Sequence, residues 1–78
     1  MIHQDTQDFP WGRYTTYRSS TLGWINYRQR VVCRTESGDC EPARFMGTNG
    51  SGSLHHFQRD DGTEFVLTYS VIRDYLPA

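Results

Sequence analysis

The sequence predicts an all-β domain: a small, strongly bent antiparallel barrel, with one short C-terminal 3₁₀ or helical turn. Three observations carry this expectation. Short runs rich in Val, Phe, Tyr and Thr recur along the chain, bounded by Gly, Ser, Asn or Asp. Two of those boundaries, Glu36-Ser37-Gly38-Asp39 and Asp60-Asp61-Gly62-Thr63, have the chemistry of tight hairpin turns. The chain has 78 residues with two Trp, five Tyr and four Phe, which is one domain with few but large core-forming side chains. Each such ring can bury roughly 150–250 Å², so few of them suffice for a core.

The elements follow in order. Residues 1–8, MIHQDTQD, read as a mobile polar arm, and Phe9-Pro10-Trp11-Gly12 as a turn whose two rings dock on the body. Residues 13–18, RYTTYR, suit a short strand, which Ser19-Ser20-Thr21 breaks. Residues 23–35 give a long extended run, with Ile25, Tyr27, Gln29, Val31 and Cys33 on one side. Trp24, Asn26, Arg28, Arg30, Val32 and Arg34 take the other side. The alternation falters at Gln29 and Val32, which places a bulge or break near Gln29. An amphipathic helix over residues 22–32 is the competing reading.

Residues 30–47, RVVCRTESGDCEPARFMG, form the stretch around which the chain is organised. With Ser37-Gly38 as a two-residue loop, Glu36 faces Asp39, Thr35 faces Cys40 and Cys33 faces Pro42. Pro42 restricts the start of the returning strand, residues 43–46, to an edge or bulge position. Residues 47–53, GTNGSGS, read as a flexible surface loop. Residues 54–59 and 64–69 then pair about an Asp61-Gly62 turn of type I′. Ser70 caps a single helical or 3₁₀ turn over residues 70–75 that ends before Pro77. No repeat or linker divides residues 1–78.

This order of parts, in RVVCR, then ARFMG, HHFQRDDGTEFVL and SVIRDYLP, resembles the SH3-like and Sm-like small barrels. Tudor-type modules and the Rof family of Sm-like Rho-factor inhibitors share such a run. The likeness covers residues 28–77 and implies a binding module.

Charge is uneven along the chain. The net charge is −1, and all eight basic residues are Arg. Residues 9–35 hold five of them, with no acid. High coding GC content alone produces an Arg bias; the functional counterpart is guanidinium forks for phosphates, carboxylates or bases. In the same stretch Trp11, Tyr14, Tyr17, Trp24 and Tyr27 interleave with the arginines, the combination used on single-stranded nucleic acid. The structural counterpart is that the rings form the core and the Arg stems cover its edge.

The other constellations point elsewhere than chemistry. Cys33 and Cys40 lie as diagonal neighbours in the register above, so they are expected as two free thiols with no need of a disulfide. His55 and His56 are adjacent in a strand and point to opposite faces, one to the core rim and one to solvent, so they do not ligate one metal. The acids about residues 60–64 are too few for a calcium loop. GTNGSGS lacks the Lys of a phosphate loop, and no Ser or Cys stands in a nucleophile context.

The sequence therefore points to a non-enzymatic binding module, without cofactor or metal. It reads as a small regulator or inhibitor docking on nucleic acid or a nucleic-acid-associated protein complex. Its expected binding residues are Trp24, Arg28, Arg30 and Arg34, with Tyr14 and Arg18 from the preceding strand. A phage or mobile-element inhibitor that captures a host protein is the alternative, and an oligomer-built enzyme or small-ligand binder the third. A homo-oligomer is compatible with each. No apolar run approaches the ~20 residues of a membrane span, and the polar start is unlike a signal peptide, so the expected location is cytoplasmic.

Overall fold

The computed structural model describes residues 15–78, and strands dominate it. The expected arm, the Phe9–Gly12 turn, Arg13 and Tyr14 lie outside the described residues. β1 (Thr16–Ser19) and β2 (Gly23–Asn26) form a hairpin of their own. β3 (Arg30–Thr35), β4 (Gly38–Asp39), β5 (Ala43–Thr48), β6 (Leu54–Gln58) and β7 (Glu64–Thr68) make a second antiparallel sheet in the order β4-β3-β5-β6-β7. A 3₁₀ turn (Tyr69–Val71) leads into β8 (Ile72–Pro77), which returns to pair with β3. The sheet is a strongly curled half-barrel. No ladder joins β7 to β8 among the described residues.

β3 is the central strand, and its alternation explains why. Val31, Cys33 and Thr35 are buried while Arg30 and Arg34 are exposed. One edge of β3 serves β4 and β5, the other β8. Phe45 on β5, Phe57 on β6 and Tyr75 on β8 meet beneath it, with ring centroids 6.0–6.2 Å apart. The β1–β2 hairpin lies over this cluster. Its inward pair is Tyr17 and Ile25, and Ile25 is fully buried.

The extended run over residues 23–35 breaks between β2 and β3, as the faltering alternation near Gln29 suggests. Arg28 takes a positive φ of 70° there. The break lets the Arg28 N–H bond to the Phe45 carbonyl at 2.7 Å, while the Phe45 N–H bonds to Gln29 at 2.9 Å. The chain thus leaves one sheet and enters the other; the helical alternative over residues 22–32 does not occur.

Several local expectations are corrected. Among the described residues the first strand covers Thr16–Ser19, so Ser19, expected to break it, is its last residue. Glu36-Ser37, not Ser37-Gly38, is the first hairpin loop: Thr35 faces Gly38 and Arg34 faces Asp39. The Thr35 hydroxyl holds this turn, accepting the Ser37 N–H at 3.3 Å and lying 2.8 Å from the Gly38 carbonyl. Gly47 and Thr48 belong to β5 and are buried, because a bulge between Phe45 and Thr48 carries the strand past its expected end. Gly47 supplies the φ of 104° at that bulge. The second hairpin exists, with a three-residue loop instead of a type I′ pair. Arg59 bonds to Thr63 at 2.7 Å, and Gly62, at φ 92°, closes the turn on Arg59 at 2.9 Å. Finally, the 3₁₀ turn stops at Val71, and residues 72–77 are strand. The partner edge of β3 accounts for that, since it leaves backbone groups that β8 satisfies.

Candidate binding surface

Ion pairing sorts the expected site residues. Arg30 reaches Asp60 at 2.8 Å, and Arg44 lies 3.8 Å from the same carboxylate. Arg34 pairs with Asp39 at 3.1 Å, Arg59 with Glu41 at 2.5 Å and Arg73 with Glu36 at 3.2 Å. The Arg30 hydrogen bond and charge hold the Asp60 carboxyl below its usual range. The β3 stripe of Arg30 and Arg34 is thus largely matched by acids from the hairpin tips. Those pairings cross turns whose register the sequence did not settle.

Arg18 and Arg28 differ. Neither has an acid within salt-bridge distance among the described residues. The Arg18 guanidinium lies 5.9 Å from the Trp24 ring centroid, and Arg28 lies 5.9 Å from that of Tyr27. Arg18 and Trp24 are direct cross-strand partners in the β1–β2 hairpin. Because Tyr17 and Ile25 face inward, the Arg18–Trp24 pair faces outward. Both arginines are exposed, and Trp24 and Tyr27 are half-buried. The structure therefore brings Arg18, Trp24 and Arg28 into one segment and leaves Arg30 and Arg34 on β3 beside their acids. Tyr14 lies outside the described residues.

One concavity adjoins this region, and a second shares Tyr69 with it. A cleft of about 100 Å³ is lined by Arg18, Tyr17, Tyr69 and Asp74 among others. A shallower groove of about 400 Å³ runs along Ser51–Leu54 and Thr68–Ser70, with no charged residue among the described residues of its lining. Tyr69 borders both and is 54% exposed. Sequence reasoning missed it, because as the last residue of an expected strand it gave no sign of sitting at the start of a 3₁₀ turn.

The interior holds a separate polar cluster. His55 is fully buried, with Nδ1 2.6 Å from the Tyr75 hydroxyl, and the Cys33 thiol is also within reach of that hydroxyl. His55 Nε2 makes no hydrogen bond of good geometry, and the Gly52 carbonyl is the backbone group that acts on it. Tyr17 packs edge-on to the imidazole at 4.7 Å and Tyr69 stacks on it at 5.9 Å. Burial pushes His55 down to about 4 and the Cys33 thiol up to about 12, and raises the Tyr75 phenol. All three groups are held neutral, the reverse of what activates a thiol nucleophile. The expected solvated histidine is corrected as well: His56 is 9% exposed, since the curl of the sheet encloses the middle of β6 on both faces.

Among the described residues no three His, Cys, Asp or Glu side chains are grouped to hold a metal ion. No helix among them is long and apolar enough to cross a membrane. Comparison of the chain with family models, curated proteins and solved structures finds no match.

Proposed function

We propose that the chain is a non-enzymatic binding module of SH3-like or Sm-like type that docks single-stranded nucleic acid on the outward face of the β1–β2 hairpin. The observation that carries this reading is the division of the arginines. Five of the described arginines are matched by acids, whereas Arg18 and Arg28 meet no acid among the described residues and lie beside Trp24 and Tyr27. A ring stacks a base for about 1–3 kcal/mol, and an unmatched guanidinium beside it neutralises the phosphate. The order of strands about β3, with a 3₁₀ turn before the closing strand, supports the small-barrel likeness. The buried, neutral Cys33–Tyr75–His55 cluster supports a module without catalysis.

The test is a titration of a labelled single-stranded oligonucleotide against the protein and against Arg18→Glu with Arg28→Glu. Wild type is expected to bind with an affinity that falls steeply with salt, and the double variant to lose binding while its thermal midpoint moves by only a few degrees. Exposed charges of this kind contribute little to stability. Absence of binding by wild type at low salt overturns the proposal. In that case Trp, Tyr and Arg at the same hairpin fit a protein partner, since these residues are enriched at the centre of such interfaces.

A further inference from the structure

The corrected register of the β3–β4 hairpin changes the relation between the two cysteines. With Glu36-Ser37 as the loop, Thr35 faces Gly38 and Arg34 faces Asp39, and extending that register by one step sets Cys40, just past the end of β4, opposite Cys33. The Cys40 N–H bonds to the Cys33 carbonyl at 2.9 Å, which continues the pairing to that position. Facing residues on antiparallel strands have Cα atoms about 4.5–5.5 Å apart. Disulfides most often span about 5.5–6 Å between Cα atoms. Side chains of facing residues also leave the sheet on the same side. Cys33 belongs to the buried core cluster, and Cys40 packs against that cluster while remaining half-buried.

We propose that Cys33 and Cys40 are a paired oxidative modification site, which a low-molecular-weight disulfide of the glutathione type converts to an intrachain cross-link. Cys40, the more accessible thiol, loses its proton and attacks one sulfur of the reagent. A mixed disulfide forms, and the reagent's S–S bond breaks to release one thiolate. Cys33 then loses its proton, attacks the Cys40 sulfur and expels the second thiolate. The two protein thiol protons end on the two released thiols. The protein pair is oxidised by two electrons and the reagent is reduced by two. Burial raises both thiols above their usual range, so the exchange is slow at neutral pH and accelerates as pH rises.

The product ties the two ends of the Thr35–Asp39 turn together. That turn supplies Glu36 to Arg73 and Asp39 to Arg34, so oxidation would pin the hairpin that holds both ion pairs. The reaction starts from the two free thiols.

The experiment incubates the folded protein with oxidised glutathione at mildly alkaline pH, then blocks free thiols and measures the intact mass and a tryptic map. Cleavage after Arg30, Arg34 and Arg44 puts the cysteines in separate peptides, residues 31–34 and 35–44. The expected result is a monomer lighter by two hydrogens, carrying no glutathione, with those two peptides joined until a reductant is added. Cys33→Ser should instead accumulate the mixed disulfide at Cys40. A stable glutathione adduct on Cys40 of wild type, with Cys33 still blocked as a free thiol, overturns the proposal. So does the absence of any reaction in the folded protein when the urea-unfolded chain reacts at both cysteines.

Discussion

His55 is a titratable side chain with no access to water, and its burial dictates a pH response. Its folded-state pKa, about 4, lies below the ordinary value of 6.5 because desolvation penalises the imidazolium. Between those values the unfolded chain binds the proton and the folded one does not, so stability falls as pH falls. The loss begins near pH 6.5, is complete near pH 4 and is absent above 6.5. Its size is on the order of 3 kcal/mol, from about 1.4 kcal/mol per unit. His56 is lowered by burial too and acts in the same direction. Asp60, Asp61 and Asp74 are held below the ordinary carboxylate value of 3.8, so their contribution is lost only in more acid solution. Urea denaturation at closely spaced pH values is expected to show a falling midpoint from pH 6.5 to 4. A flat midpoint across that window would mean that His55 is hydrated in solution.

At the scale of elements, the second hairpin shows how one residue holds a turn. Gly62 sits at φ 92° at the end of the Asp60-Asp61-Gly62 loop, where the Asp61 carboxylate also accepts the Thr63 N–H at 2.9 Å. A Cβ added at Gly62 meets nothing within 4 Å, so any cost of substitution is backbone strain and not a clash. Gly62→Val is therefore expected to destabilise by about 1–3 kcal/mol. Chemical denaturation measures it, and a change under ~0.5 kcal/mol would contradict the positive φ. The β1–β2 hairpin is held by different means. Ile25 and Tyr17 pack on the core cluster, Arg28 bonds to Phe45, and the Thr21 hydroxyl donates to the Asp74 carboxylate. The element that carries the proposed interface is therefore anchored to the curled half-barrel sheet at both ends.

Across the whole molecule, five ion pairs join the described arginines to acids, and every partner side chain is at least 36% exposed. Exposed pairs contribute about 0–1 kcal/mol each and are screened by salt. Stability is therefore expected to depend weakly on salt, while the proposed binding of nucleic acid is expected to depend on it strongly. Raising salt from about 50 to about 200 mM should leave the urea midpoint nearly unchanged and weaken oligonucleotide binding severalfold or more. Affinity that is insensitive to salt would assign the hairpin surface to an uncharged partner. Unfolding on the same salt change would instead make the ion pairs structural.

The sequence by itself determined the all-β class, the two hairpins, the break near Gln29 and, of the five residues read as the inward side, the buried Ile25, Val31 and Cys33; Tyr27 and Gln29 are only half-buried at the break. Each follows from local causes: alternation, the positive φ open to Gly, and the polar side chains that hold turns. What it left open depended on contacts between distant segments. A shift of two residues in pairing at the first turn moved Cys33 from Pro42 to face Cys40, and the Thr35 hydroxyl that holds this turn can serve neighbouring turn positions equally well. The basic stripe on β3 was legible as a row of arginines. That Asp60 and Asp39 answer Arg30 and Arg34 was not, because it depends on which hairpin tips the curl of the sheet brings beside them. Residues 72–77 became a strand and not a turn for the same reason: only in the folded sheet does β3 present a second edge that needs a partner.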